Sequence, residues 1–186
     1  MDRAVKEKAI MQIISLRRVQ PSDVEQLQAI SRITFADTFA GANTEADMKK
    51  HLASAYAKEQ LLAEIETPAS YFYFGMIDNQ CAGYLKLNVD QAQSEDRGAT
   101  TLEVERIYIL PAFKRQGLGR TFLQAAERLA QDLGKERIWL GVWEENTAAL
   151  AFYIKMGFEQ VGQHVFVLGN DRQTDLIMEK RLATAE

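Results

Sequence analysis

The sequence predicts an α/β domain built on one mixed sheet, and three observations carry the prediction. From Leu102 onward strand-like and helix-like segments alternate, a pattern that predicts parallel pairing in this half. Ile138-Trp139-Leu140-Gly141-Val142-Trp143 is apolar on both faces, as suits a central strand covered by helices on each side. Before them, Tyr71–Ile77 and Cys81–Val89 are dense in strand formers and joined by the turn Asp78-Asn79-Gln80, an antiparallel hairpin.

The elements follow in order. Ile13–Val19 reads as an opening strand. Ser22 or Asp23 caps a helix whose apolar positions Val24, Leu27, Ile30 and Ile33 keep helical spacing. Gly41 and Asn43 separate it from a second helical region over about Thr44–Glu66, opened by the capping box Thr44-x-x-Asp47. Gln91–Thr100 is polar and reads as a loop. Strand Leu102–Leu110, helix Leu118–Leu133, strand Ile138–Trp143, helix Thr147–Met156 and strand Phe158–Leu168 come next. A last strand, Asp175–Arg181, follows a turn at Gly169-Asn170-Asp171.

Composition narrows the function. The 186 residues suit one domain, and the net charge of −4 lacks the basic field of a nucleic-acid or anionic-membrane binder. No apolar run is long enough to span a bilayer, and the stretch after Arg3, Lys6 and Lys8 has no signal-peptide cleavage site. A cytoplasmic protein is expected. Met11 offers an alternative start, so residues 1–12 read as an extension ahead of a single domain over 13–186. The single Cys81 excludes an internal disulfide framework and reads as a small buried hydrophobe. With only His51 and His164 and no ligand spacing, no metal is expected.

Two local features carry chemistry. Apolar residues sit at 102 and 104, then at 107 and 109, a one-residue phase slip that marks a β-bulge between Val104 and Ile107. Such a bulge spreads the strand from its parallel neighbour and leaves backbone groups unpaired; a strand buried on both faces would give the same pattern. The turn that follows, Lys114-Arg115-Gln116-Gly117-Leu118-Gly119-Arg120, places two glycines and three cations at a helix N-terminus, where backbone N–H groups favour an anion. It is neither a P-loop nor a complete dinucleotide fingerprint, and glycines serving turn geometry alone remain the plain alternative.

Together these features resemble the GCN5-related N-acetyltransferase family from Ile13 to Leu182. The Gln/Arg-x-x-Gly-x-Gly/Ala signature corresponds to Lys114-Arg115-Gln116-Gly117-Leu118-Gly119, with Lys at the first position as a departure. A second signature, Asn…Ala-x-x-Phe-Tyr-x-x-x-Gly-Phe, is similar to the stretch from Asn146 through Phe152-Tyr153 to Gly157-Phe158. The resemblance implies a strongly twisted mixed sheet of about seven strands flanked by four helices, with the bulged strand splayed from its parallel neighbour. It also implies acetyl-CoA as co-substrate. Asp90–Glu95, Leu102–Ile109, Ile138–Glu144, Gln173–Met178 and Thr34–Phe39 are most similar to the bacterial PaiA-type spermidine/spermine acetyltransferases, which implies a polyamine acceptor.

The chemistry assigns roles. Backbone and cations of Lys114, Arg115, Gln116, Gly117, Leu118, Gly119 and Arg120 would hold the phosphates. The bulged strand at Ile107, Tyr108 and Ile109 would present a donor to the thioester carbonyl. The resemblance implies that Asn146 flanks the coenzyme arm and Tyr153 the thioester. Tyr153, two helical turns after Asn146, would serve the departing thiolate; a phenol near pKa about 10 against a thiol near about 8.5 favours a strengthening hydrogen bond over full proton transfer. Glu105 is the candidate base, with Glu103 on the same face, because an alkylammonium near pKa about 10.4 must lose a proton. The expected partner is a small-molecule amine, with a homodimer left open and no nucleic acid or membrane. A protein, peptide or other small-molecule amine is the alternative acceptor, and a non-catalytic acetyl-CoA-binding regulator is the alternative class.

Overall fold

The computed structural model describes residues 12–39, 41, 43–168 and 171–183. Residues 1–12, expected to be an extension, fall almost wholly outside these residues, as do Gly169 and Asn170 of the expected last turn.

The chain opens with β1 (Ile14–Arg18), a 3-10 turn at Pro21–Asp23, and helix α1 (Val24–Phe39). The Asp23 carboxylate accepts from the Gln20 N–H at 2.9 Å, so Asp23 closes the helix entry from inside the first turn. Leu27, Ile30, Ser31, Thr34 and Phe35 form the buried face, while Ile33 is exposed. The expected second helix divides into α2 (Glu45–Ala55) and α3 (Lys58–Glu66). Thr44 caps α2 as its box predicts, accepting from the Asp47 N–H at 3.2 Å. The break at Tyr56 has a tertiary cause: Gln28 of α1 donates to the Tyr56 carbonyl at 2.7 Å and takes it out of helical bonding.

Strands β2 (Ser70–Ile77) and β3 (Gln80–Val89) form the hairpin, with Asp78 and Asn79 both at positive φ, the twist-matching turn for two strands. Then come β4 (Thr101–Ile109), α4 (Leu118–Asp132), β5 (Arg137–Trp143), α5 (Thr147–Lys155), β6 (Glu159–Leu168) and β7 (Asp171–Arg181). The sheet order is β1-β2-β3-β4-β5-β7-β6. The expectation of parallel pairing after Leu102 holds only for β4 with β5. β6 and β7 pair antiparallel with each other, and β7 enters between β5 and β6, antiparallel to both. Only two residues separate β6 from β7, too few for the crossover that parallel strands need.

The core lies in two layers. On one face Leu102, Val104, Ile138, Leu140 and Val142 pack against Leu118, Phe122, Leu123, Ala126 and Ala130 of α4. Each such Leu or Phe contributes about 1.5–3 kcal/mol by burial. On the other face Phe72, Phe74 and Tyr84 pack against Leu27, Ile30 and Phe35 of α1, with Met48 and Leu61 behind. Gly75, paired with Gly83, lets α4 lie flat on the sheet: a Cβ there would come within 2.6 Å of Leu118 Cδ1 and Phe122 Cζ.

β4 carries the bulge. Lys86 pairs with Arg106 and Leu87 with Val104, so Glu105 is the extra residue. Consecutive strand residues normally face opposite sides, but here Glu105 and Arg106 both reach the α1–α3 face. β4 and β5 pair only over Thr101–Glu103 with Arg137–Trp139. From Val104 onward the two strands diverge, which opens the site.

Candidate active site

The divergence of β4 and β5 makes a cleft of about 600 Å³. One wall is Val104, Glu105, Ile107, Tyr108 and Ile109 of β4; the other is Leu140–Trp143 of β5 with Asn146, Phe152 and Tyr153. Lys114, Arg115, Gly117, Gly119 and Arg120 line one part, and Thr38 and Phe39 of α1 another. Of the residues singled out in the sequence, Leu118 and Gln116 stand apart. The Leu118 side chain is buried in the core against α4's face of the sheet, and the Gln116 amide donates to the Ala112 carbonyl at 2.9 Å. Only their backbone groups belong to the turn.

The turn has the form of an anion cradle. Gly117 is the N-cap of α4 at φ +93 and supplies no side-chain cap. The first helical acceptor bond is Thr121 N–H to the Gly117 carbonyl, so the N–H groups of Leu118, Gly119 and Arg120 have no acceptor in the helix. Arg115 also has a left-handed backbone, φ +62, a conformation that costs a non-glycine residue about 1–2 kcal/mol. Strain held at this point fits a turn that must aim successive N–H groups inward. A Cβ on Gly119 would sit 3.2 Å from Phe152 Cζ, so this glycine keeps α4 and α5 close. These features fit a phosphate-bearing ligand. Lys114 is partly engaged already, ion-paired to Asp37 of α1.

Asn146 caps α5, its side-chain oxygen accepting the Ala149 N–H at 3.2 Å, which leaves its amide N–H groups for the cleft. Tyr153, two turns on, packs its ring against Phe152 and Phe158 and is 6% exposed. Burial alone pushes its hydroxyl well above the ordinary phenol value. Such a phenol is a poorer acid and remains a hydrogen-bond donor.

Glu105 is 23% exposed at the bulge. Lys86 Nζ lies 2.6 Å from its Oε2, Arg106 lies 3.2 Å from its Oε1, and the Asn88 amide donates to Oε2. Asn88 also donates to Glu103 at 3.1 Å. Glu103 is buried, accepts the Ser94 N–H at 2.8 Å, and is pushed above the ordinary carboxylate value by burial. The Gln91–Thr100 loop is therefore tied to the strand through Ser94. Tyr108 stacks on Tyr84 at 5.8 Å, and burial raises both hydroxyls.

Several lining residues escape sequence reasoning. Phe39 and Trp143 bring their rings to 5.7 Å although they are far apart in the chain. Trp143 ends a central strand, the usual place for ligand contacts in α/β sheets; Phe39 has no local signal. Gly141 opens the β5 wall: the space a Cβ would fill there lies 3.6 Å from Asp175 Oδ2 and 3.5 Å from His164 Cε1. His164 sits between Asp175, 3.4 Å from Nε2, and Glu95 at Nδ1. Burial raises the Asp175 carboxyl above its ordinary value, against the pull of His164. Cys81 is half-buried, its thiol pushed up by burial and therefore not activated. Among the described residues no His, Cys, Asp or Glu group is arranged to hold a metal ion, and no helix is long and apolar enough to cross a membrane.

Residues 29–158, which contain the bulge, the anion turn and Asn146 to Tyr153, match the Acetyltransferase (GNAT) family. The chain belongs to this family. An uncharacterized N-acetyltransferase of Lactobacillus delbrueckii subsp. lactis is 44% identical to this GNAT chain, over 91% of it and 98% of the relative. The spermidine N(1)-acetyltransferase of Thermoplasma acidophilum is 27% identical over 90% and 97%. Among solved structures, PaiA N-acetyltransferase from Thermoplasma acidophilum in complex with coenzyme A superimposes with a TM-score of 0.76 at 26% identity. It covers 91% of this GNAT chain and 99% of its own. The GNAT chain is thus an N-acetyltransferase with the mixed-sheet fold that its sequence predicts.

Proposed function

We propose that this enzyme transfers the acetyl group of acetyl-CoA directly to a primary amine of a polyamine such as spermidine. The observation that carries the reading is the opening of β4 from β5 directly beside the uncapped N-terminus of α4. A ligand with phosphates at one end and amides along its arm fits both: anions suit the free N–H groups and Arg115 and Arg120, and amides suit the unpaired strand edge. The similar Thermoplasma protein, solved in complex with coenzyme A, supports coenzyme A as that ligand.

In the transfer the amine nitrogen bonds to the acetyl carbon while the carbon–sulfur bond breaks. An ammonium gives up two protons in all, one reaching the sulfur and one the solvent. Glu105 takes the proton that frees the nitrogen lone pair. The β4 edge at Ile107–Ile109, which has no ladder partner on its β5 side, offers N–H donors to the carbonyl oxygen as charge grows there. Tyr153 donates a hydrogen bond to the departing sulfur. Its burial suits this role, since a hydrogen bond in a dry wall strengthens as the thiolate forms.

The acceptor end supports a polycation. Phe39 and Trp143 supply aromatic surface, Glu105 lies on the β4 side, and Asp175 lies behind the gap left by Gly141. The name of the Thermoplasma relative, a spermidine N(1)-acetyltransferase, points to the same acceptor class. The test is release of coenzyme A thiol from acetyl-CoA with spermidine, spermine, butylamine, a lysine peptide or no acceptor. Spermidine or spermine well ahead of butylamine is expected. A lysine peptide ahead of both would move the acceptor to protein, and no stimulation by any acceptor, with coenzyme bound, would favour a regulator.

A further inference from the structure

Glu105 belongs to a charge quartet whose other three members, Glu64, Lys86 and Arg106, have no part of their own in the acetyl transfer. Glu64, on α3, forms a two-pronged contact with Arg106, at 2.8 and 3.1 Å, and meets Lys86 Nζ at 3.0 Å. The same two cations reach Glu105, at 2.6 Å from Lys86 and 3.2 Å from Arg106. Two acids and two cations thus alternate around a closed ring. The Lys86 side chain is 6% exposed and that of Arg106 13%, so water screens little of this interaction.

The ring exists because of the bulge. A regular strand would turn Glu105 away from Lys86 if Arg106 faced it; the extra residue sends both side chains to one face. Asn88 fixes the rotation of the Glu105 carboxylate: Ser70 donates to the Asn88 oxygen at 2.8 Å, which obliges the Asn88 amide N–H groups to point at Glu105 and Glu103. Lys86 Nζ also lies 5.4 Å above the Phe72 ring, and Arg106 lies 5.4 Å above that of Tyr56.

We propose that Glu64 is a positioning residue that sets the basicity of Glu105 by sharing Lys86 and Arg106 with it. The inference rests on Glu105 being the base. Without Glu64, Glu105 alone would balance two cations and would hold a proton less readily. Without Lys86, two carboxylates would share one cation and Glu105 would hold a proton more readily. The other titratable groups facing this ring are Glu103 on β4, His51 on α2, and the phenols of Tyr56, Tyr84 and Tyr108.

The experiment is a carboxyl-carbon NMR titration of glutamate-labelled enzyme, with the Glu105 signal assigned by its loss in Glu105→Gln, beside the pH profile of kcat. Glu64→Gln should move the Glu105 midpoint and the acid limb down by about one pH unit, and Lys86→Gln should move both up by about as much. The double variant restores charge balance and should return within roughly 0.3 unit of wild type. Glu64→Asp, which keeps the charge, should stay near wild type and carries the comparison with Glu64→Gln if Lys86→Gln does not fold. Midpoints that stay put, or that move the same way in both single variants, overturn the proposal. Full activity in Glu105→Gln would overturn the base and this proposal with it, whereas an inactive Glu105→Gln with unmoved midpoints overturns the proposal alone.

Discussion

A Cβ on Gly83 would lie 2.4 Å from the carbonyl oxygen of Tyr108, closer than two such atoms can stand. Gly83 thus sets how near β3 approaches β4 at the point where β4 lines the cleft. The neighbouring atom is backbone, so it cannot turn aside as a side chain would. Gly83→Ala should cost about 1–3 kcal/mol in urea unfolding and lower the transfer rate by displacing Tyr108. Gly41 has nothing within 4 Å of its Cβ position, and Gly41→Ala should stay within about 0.5 kcal/mol of wild type. Equal stability of the two variants would contradict the packing account.

Gly117 tests the anion turn. At φ +93 an alanine is strained by about 1–2 kcal/mol, and relief of that strain would turn the α4 N–H groups away from the cleft. Gly117→Ala should weaken coenzyme A binding roughly tenfold in calorimetric titration. Unchanged affinity would mean that the helix N-terminus is not the phosphate site.

The ion pair of Lys114 with Asp37 makes an opposite prediction. If Lys114 holds a phosphate as proposed, Asp37 would compete for the same ammonium, and Asp37→Asn should tighten coenzyme A binding. Both side chains are partly exposed, which limits the gain to roughly two- to fivefold. The gain should shrink in high salt. Weaker binding in Asp37→Asn would show that Asp37 orients Lys114 rather than competing for it.

Stability against pH separates two kinds of carboxylate. Burial pushes Glu64 up, but Arg106 and Lys86 outweigh it and leave the carboxyl below its ordinary 4.5. Its contribution is therefore present above about pH 4.5 and lost as pH falls through the folded value. Asp175 is raised by burial above its ordinary 3.8, so its contribution is present below that value and lost as pH rises. In urea unfolding between pH 3 and 7, Glu64→Gln should lose part of the acid-side slope. Asp175→Asn should gain on wild type as pH rises. An unchanged acid slope in Glu64→Gln would contradict the ion-pair assignment.

The sequence was most readable where local pattern and final structure share a cause. The slip at 102, 104, 107 and 109 follows from the bulge itself, and Glu105 lies inside the interval it defines. The hairpin and the glycine turn were readable for the same reason, since the backbone angles at Asp78, Asn79 and Gly117 demand those residue types. The break at Tyr56 was not, because Gln28 makes it from another helix. The insertion of β7 between β5 and β6 was also hidden, since strand order depends on packing rather than on any local signal. Within the cleft, Asn146 and Tyr153 were legible only through their resemblance to the family's second signature, since a Phe-Tyr pair on a helix otherwise reads as core. Phe39, Gly141 and Asp175 gain meaning only from the sheet that assembles them.

Acetyl transfer to spermidine by the wild type and Tyr153→Phe, measured beside coenzyme A affinity, tests the central claim most directly. The ring stays and only the hydroxyl is lost, so coenzyme A should bind as before while kcat falls about 100-fold. N-acetylspermidine and free thiol should appear in equal amounts with the wild type. Wild-type turnover by Tyr153→Phe, or a wild type that binds coenzyme A yet transfers no acetyl to spermidine, would contradict the account.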